Sequence, residues 1–275
     1  MPSPTLLLHL DDSDGVADRT RFAIDFARLH ACHLTGLASV GTIPFAAAAG
    51  PALGGADRIA STVNHMMSRA ARRIEVFSER CQAAGVVSFD SQLAEDEDTS
   101  ALIRASHASD LLIVGQGTDA ETHRLAEDVV IESARPVLLL PSGPAPETPW
   151  RNVLVAWDNS RACARAIADA LPWMRTADRV HLLACETPMA VRPSMASVDI
   201  AAAAGWLARH GIASTHSLET TTIDVGNALL SRASDWDIDL LVMGAYGHAR
   251  WTERLIGGVT RTVLQTMTVP VLLSH

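Results

Sequence analysis

The feature that most constrains the fold of this chain is an internal repeat. Three short, mostly apolar segments occur twice and in the same order, and the copies are offset by 147, 129 and 134 residues. The pairs are 6–13 with 153–160, 110–115 with 239–244, and 135–140 with 269–274. Independent coincidence explains such an ordered match poorly. The repeat therefore predicts two homologous domains, each close to the usual domain size.

The stretch between the two copies is rich in proline. Residues 141–149 contain four prolines, which exclude a continuing helix or a central strand. We therefore predict a first domain over residues 1–141, a short and fairly stiff linker over 142–150, and a second domain over 151–275.

Strand and helix patterns alternate within each half. Apolar runs of about five residues are separated by longer amphipathic segments such as 161–171 and 226–233. This alternation predicts an α/β fold of two tandem, doubly wound domains, each with an open parallel sheet covered by helices. Asp11 and Asp158 then lie at the carboxyl edges of their sheets, where such folds bind ligands near a switch in strand order.

A pair of glycine-containing segments follows the last buried strand of the second half. Gly244-Ala-Tyr-Gly247 comes directly after the apolar run 240–243, and Gly257-Gly258-Val-Thr260 opens an amphipathic helix. Glycine permits positive φ and a close approach of a ligand to the main chain. The free N–H groups and the positive dipole of a helix start favour an anion. This segment therefore indicates phosphate held by the backbone.

The pattern Gly-x2-Gly-x9-Gly, together with the repeat, resembles the nucleotide loop of the universal stress protein family. The resemblance covers nearly the whole chain and implies a tandem member, an adenine nucleotide alpha hydrolase-like fold packed as an internal pseudo-dimer. It also implies binding of ATP or another adenine nucleotide, with Mg²⁺ as a companion ion, by the second domain. Residues matching the family's nucleotide contacts are Asp158, Cys185, Met243, Gly244, Tyr246, Gly247, Gly257, Gly258, Val259 and Thr260.

Two features depart from the family pattern. The family usually has Ser or Thr where this chain has Gly258, so one hydroxyl that would meet a phosphate is missing. The first half lacks Gly-x2-Gly, its loop after Gly115 is five residues shorter, and Asp119, Glu121, Glu127 and Asp128 make that loop acidic. Acidic side chains repel phosphate. The first domain is therefore predicted to be degenerate, whereas Arg250, Arg254 and Arg261 accompany the loop of the second domain.

Other interpretations of these residues stay open. The glycines could merely shape a strand-to-helix connection, and Asp158 or Ser160 could cap a helix. The three arginines could be ordinary surface cations. No motif for a catalytic nucleophile, a metalloprotease or a P-loop is present, so we expect at most slow ATP hydrolysis and assign no catalytic residue. The competing hypotheses are a stress scaffold that acts through protein contacts or a small apolar ligand, and a weak ATPase.

Composition limits the remaining partners. A net charge of -9 argues against nucleic acid, and the absence of an apolar run near ~20 residues argues against a membrane span. The amino-terminal segment lacks the pattern of a signal peptide, so we expect a cytoplasmic protein. The cysteines have no Cys-x-x-Cys spacing, and the side chains of the one metal-like cluster, His30-Ala-Cys32-His33, should diverge, so no metal site is assigned.

Family members commonly dimerise through their last strands, and segments 137–140 and 269–273 are candidates for such pairing. A protein partner and a homodimer are further expectations from the resemblance.

Overall fold

A computed structural model describes residues 4–41, 55–144, 146–187, 195–246 and 258–275 of the chain, without the side chains of 55–59 and 195–198. The chain divides into two compact units, residues 1–113 and 114–275. This division follows packing, whereas the domain limits predicted above follow the sequence repeat. Those limits stay a prediction.

The first unit is built from alternating strands and helices. Its elements are β1 Thr5–His9, α1 Val16–His30, β2 His33–Ser39, α2 Gly55–Ala83, β3 Phe89–Ala94, α3 Asp98–Ser106 and the start of β4 Leu111–Gly115. The strand order is β3-β2-β1-β4, and the pairs are parallel. The predicted parallel, alternating architecture is therefore confirmed for this unit.

The second unit contains the remaining elements. They are α4 Ala120–Glu132, β5 Val137–Leu140, β6 Asn152–Ala156, α5 Arg161–Met174, β7 Arg179–Glu186, α6 Met195–Arg209, β8 Thr215–Thr220, α7 Val225–Asp235, β9 Leu240–Gly244, α8 Gly258–Thr266 and β10 Val271–Ser274. The strand order is β5-β10-β9-β6-β7-β8. All these pairs are parallel except β5 with β10, which pair antiparallel with Leu138 opposite Leu272. The predicted pairing of the two final strands is thus present.

The central strands are apolar because helices cover both of their faces. Leu6 and Leu8 of β1, like Leu240 and Val242 of β9, are completely buried. A strand that is buried on both sides gains from apolar residues at every position, which explains continuous runs rather than alternation. These runs were the strongest strand signals in the sequence.

The switch in strand order of the second unit lies between β6 and β9. The chain leaves β6 toward β7 on one side, whereas β9 pairs with the other side of β6. The carboxyl ends of β6 and β9 therefore open into one crevice. Ser160 caps the start of α5 by accepting the N–H of Cys163 at 3.1 Å.

Across the parts of the chain described above, no helix combines the length and the apolar character needed to cross a membrane.

Candidate functional site

A cavity of about 310 Å³ occupies this crevice of the second unit. Eight of the ten residues predicted from the family motif line it: Asp158, Cys185, Met243, Gly244, Tyr246, Gly258, Val259 and Thr260. The other two, Gly247 and Gly257, lie outside the described residues, as do Arg250 and Arg254. Residues distant in sequence thus meet around one space.

The sequence analysis missed five residues of the lining. They are Ala156, Trp157, Leu183, Val225 and Leu229. Three of them, Ala156, Trp157 and Leu183, lie at or near the ends of predicted strands, beside residues already assigned. Their position at the strand ends could therefore have identified them from the sequence. Val225 and Leu229 belong to α7, and only the packing of that helix brings them to the crevice.

Gly244 has a packing reason to be glycine. A Cβ built on Gly244 would lie 2.3 Å from the backbone nitrogen of Cys163 and 2.6 Å from the carbonyl carbon of Ala162. The start of α5 therefore packs directly against the end of β9. This contact supports the structural interpretation of Gly244, whether or not a ligand also approaches it.

Gly258 is in the opposite situation. A Cβ built on this residue would meet no atom of the described residues within 4 Å, and Gly258 is exposed at the first turn of α8. Its lack of a side chain therefore leaves open space beside the cavity instead of permitting close packing. A side chain here could reach a ligand without displacing the described residues.

Tyr246 shapes the loop that follows β9. Its φ of 57° lies in the left-handed region, which non-glycine residues adopt rarely. Its N–H donates to the Thr260 hydroxyl at 3.4 Å, which joins this loop to α8 across the cavity. Burial raises the pKa of the Tyr246 phenol well above its usual value, and the Glu127 and Asp128 carboxylates raise it further. Tyr246 is therefore a neutral, buried part of the wall.

Asp158 has a local structural role as well as a place in the cavity. Its Oδ1 accepts the N–H of Ser160 at 2.9 Å, at the turn that precedes α5. Asp158 therefore holds the turn before α5, and Ser160 caps the helix itself, so both residues have the structural role that the sequence left open. Among the described lining residues, Asp158 is the only one with a charge at neutral pH.

Cys185 presents a protonated thiol to the cavity. Partial burial raises its pKa to about 11, the Glu219 carboxylate raises it too, and Arg232 opposes them. Cys163 is completely buried, and its Sγ donates to the Ala156 carbonyl at 3.1 Å. Both residues therefore behave as small neutral side chains.

The corresponding strand end of the first unit holds buried charges. His9 is buried, with Nε2 3.4 Å from an oxygen of Asp98 and Nδ1 3.8 Å from an oxygen of Asp11. Arg19, also buried, donates to Asp11 at 2.6 Å. Burial raises the pKa of Asp11, but Arg19, His9 and hydrogen bonds from Ser13 and Arg19 together lower it to about 2. In the repeat, His9 corresponds to Ala156, so a larger, polar side chain stands at this strand end in the first unit.

The acidic segment after β4 has its own structural explanation. Asp119 caps α4 by accepting the N–H groups of Glu121 and Thr122, and the Thr122 hydroxyl completes a capping box. These hydrogen bonds lower the pKa of Asp119. A Cβ on Gly117 would lie 2.3 Å from the backbone nitrogen of His123, so this glycine serves helix packing.

The metal-like cluster of the sequence separates as expected. His30 packs its ring against Phe26 at 4.4 Å between centroids, whereas His33 contacts the Ser88 hydroxyl at 2.7 Å. Cys32 donates weakly to the His30 carbonyl at 3.7 Å. The three side chains have different partners.

The fold has close counterparts among solved structures. A universal stress protein from Archaeoglobus fulgidus DSM 4304 is 16% identical and matches with a TM-score of 0.73, over 98% of this chain and 96% of its own. A functionally unknown protein from Pseudomonas aeruginosa PAO1 is 15% identical and matches with a TM-score of 0.62, over 99% of this chain and 92% of its own. At such identities these matches show the shared fold. No curated protein sequence matches significantly.

A match to a known protein family covers the second half of the sequence. Residues 149–275 match the model of the universal stress protein family. This region includes the cavity between β6 and β9 and every residue assigned to it. The chain thus has a universal stress protein family domain at residues 149–275, within a fold that a universal stress protein shares over nearly the whole chain.

Proposed function

We propose that the second half of this chain binds ATP, or another adenine nucleotide, in the cavity between β6 and β9, and that the protein acts as a stress-response sensor rather than a fast enzyme. The main supporting observation is the convergence of residues. The segments around Asp158, Cys185, Gly244 and Gly258 were assigned from sequence motifs and surround one cavity.

The chemistry of the cavity matches the parts of a nucleotide. Leu183, Val225 and Leu229 form an apolar region suited to an adenine ring, and the adjacent Cys185 offers its main chain. Asp158 is placed to accept hydrogen bonds from a ribose hydroxyl. The start of α8 at Gly258 provides N–H groups and a positive dipole for phosphates. The volume of about 310 Å³ lies at the lower end of the usual range for ligand sites.

The charge of the phosphates requires compensation beyond the lining. The described lining has no arginine or lysine, and its one carboxylate, Asp158, already accepts a backbone N–H. We therefore propose Mg²⁺ as the companion of ATP, coordinated chiefly by phosphate oxygens and water. Fast hydrolysis needs an oriented water as well as a metal ion, and we assign no residue to that role.

Calorimetric titration with Mg-ATP tests the proposal, with Gly258→Asp as the disabling variant and Gly258→Ala as its control. A carboxylate at the start of α8 should repel phosphate, whereas a methyl group enters open space. We expect one nucleotide per chain in the wild type and in Gly258→Ala, with affinity lost in Gly258→Asp. Equal affinity in all three proteins would reject the site.

Turnover separates a sensor from an enzyme. Steady ATP hydrolysis that disappears in Asp158→Ala would favour a weak ATPase over the sensor. Binding without turnover is the result that we expect. A sensor also needs different affinities for two protein states. Hydrogen exchange should therefore show protection by Mg-ATP at positions outside the cavity lining, and protection restricted to the lining would argue against signalling.

A second cleft favours the alternative of a small apolar ligand. It lies between α5 and α6 and measures about 530 Å³. Its lining combines the apolar residues Trp157, Ala164, Ile167, Ala202, Ala203 and Trp206 with the polar residues Asn159, Asp199 and Arg209. Mass spectrometry of a solvent extract of the purified protein would test this function. Ala202→Trp should abolish retention of an apolar compound, whereas the equally exposed Ala201→Trp, outside the cleft, should not. An empty extract from the wild type would count against it.

A further inference from the structure

The first unit contains a basic cleft that the proposed function does not use. It measures about 260 Å³ and lies between α1 and α2, beside the turn that follows β1. Arg72, Arg73 and Arg80 of α2 line it, together with Asp11 and Asp12 of the turn. No lining residue belongs to the second unit, so this cleft is distinct from the nucleotide cavity.

Each of the two carboxylates of the cleft is paired with an arginine that does not line it. Asp11 accepts from Arg19 at 2.6 Å, which is a charge-assisted hydrogen bond. Asp12 lies 2.9 Å from Arg69. The negative charge at this end of the cleft is therefore balanced partly from outside.

Two of the lining guanidinium groups hold mainly neutral partners. Arg80 donates to the Ala17 carbonyl at 3.0 Å, and Arg73 donates to the Ser39 carbonyl at 2.6 Å. Arg73 also lies 3.4 Å from Asp12, and its buried Nε has no hydrogen-bond partner. Because seven residues separate Arg73 and Arg80, they lie about two turns apart on one face of α2. Three arginines and two aspartates line the cleft, so the lining itself carries one net positive charge.

The start of α1 adds to this positive field. Val16 and Ala17 line the cleft, and the N-cap residue, Gly15, makes no side-chain capping hydrogen bond. The Val16 N–H already donates to the Ser13 carbonyl at 3.1 Å, and Asp18 lies in the first turn, so the contribution of this helix start is the positive end of its dipole. The corresponding helix of the second half, α5, has Ser160 as its N-cap residue, and the Ser160 side chain caps it. A cleft that combines arginines with a helix start lacking a side-chain cap is therefore described only in the first half.

We propose that this cleft binds a phosphate group, either as inorganic phosphate or as the terminal group of a small organic phosphate. Guanidinium groups match phosphate oxygens in geometry and charge better than they match a carbonyl. Arg73 and Arg80 provide that match from α2, and the start of α1 faces the same space. Arg72, whose Nη1 lies 2.5 Å from Glu75, is a third cation of the wall.

Titration with inorganic phosphate and with glycerol 3-phosphate, at constant ionic strength, tests this proposal. The Gly258→Asp protein should be used, because a phosphate cannot then bind at the start of α8. We expect saturable binding of one ligand per chain, with the dissociation constant raised at least tenfold in the double variant Arg73→Met, Arg80→Met. Methionine retains much of the apolar stem of arginine and thus its packing. Arg21→Met, on the exposed side of α1, should leave the affinity unchanged.

The two ligands distinguish the sources of the phosphate. Tighter binding of phosphate indicates the free anion, and tighter binding of glycerol 3-phosphate indicates an organic phosphate. Absence of saturable binding for both ligands, or equal binding in the double variant, would overturn the proposal. If the double variant does not fold, Val76→Glu retains all the arginines and introduces a carboxylate into the same cleft. Undiminished phosphate binding in Val76→Glu would also overturn it. Failure of ATP to bind the wild type would leave this result unaffected.

Discussion

Replacing Gly258 by serine should strengthen ATP binding. The substitution restores the hydroxyl that the family usually has at this position. The structure has room for it, because a Cβ on Gly258 meets no atom of the described residues within 4 Å and the residue is exposed. Serine is also well accepted at a helix start. The change should therefore act on the ligand rather than on the fold.

The size of the effect follows from a single hydrogen bond. A hydrogen bond contributes about 0.5–1.5 kcal/mol net. We use this range rather than the larger one for charged partners, because Gly258 is exposed to water and solvent screens the interaction. Since 1.4 kcal/mol is a factor of ten in affinity, the dissociation constant of Mg-ATP should fall roughly 2- to 13-fold.

Two comparisons isolate the hydroxyl in a calorimetric titration at 25 °C. Gly258→Ala adds the same Cβ without the oxygen, so Gly258→Ser should bind Mg-ATP more tightly than Gly258→Ala. Adenosine lacks the phosphates, so both variants should bind it equally well. Equal affinity of the two variants for Mg-ATP would refute a phosphate at the start of α8. So would an equal gain for adenosine.

Three further predictions concern packing, reactivity and pH. Gly244→Ala should lower the free energy of unfolding by about 1–3 kcal/mol in urea titrations, because its Cβ would lie 2.3 Å from the nitrogen of Cys163; Gly258→Ala should not, and equal losses would contradict the packing argument. Cys185 is the one cysteine that is not buried, so maleimide should label it, and its pKa of about 11 should make the labelling slow at pH 9. Mg-ATP should slow the labelling further. Labelling unaffected by saturating nucleotide would place the ligand elsewhere. The pKa of Asp11 is about 2, below the ordinary 3.8, so ionised Asp11 contributes roughly 2 kcal/mol to the free energy of unfolding above pH 4, and this contribution disappears as the pH falls toward 2. The difference in stability between the wild type and Asp11→Asn should therefore shrink over that pH range. A constant difference would contradict the ion pair.

The strands and the sheet were predictable because burial on both faces leaves a simple pattern. Runs such as 240–243 contain only apolar residues, and their repetition in two halves identifies them as matched strands. The pairing of segment 137–140 with the last strand was expected from the family resemblance, since members commonly pair through their last strands and both segments are apolar ends of their halves. Parallel order then places Asp158 and Gly244 at the same edge of the sheet.

The helix that covers the crevice was not predictable from the same pattern. Val225 and Leu229 have the spacing of any amphipathic helix, and tertiary packing alone decides that they face the cavity. His9 lies in the mostly apolar segment 6–13, and nothing in that pattern indicates that its ring lies between two carboxylates. The arginines of α2 gave no motif, because their convergence with the turn after β1 depends on how α1 and α2 pack.

Photolabelling with 8-azido-ATP tests the placement of the nucleotide most directly. We predict one adduct per chain, mapped by mass spectrometry to peptides that contain Leu183 and Cys185 or Val225 and Leu229, since these residues form the apolar region assigned to adenine. Excess Mg-ATP should suppress the adduct, and Gly258→Asp should abolish it. Adducts confined to residues 1–113, or labelling that Mg-ATP does not suppress, would contradict a nucleotide site in the second half.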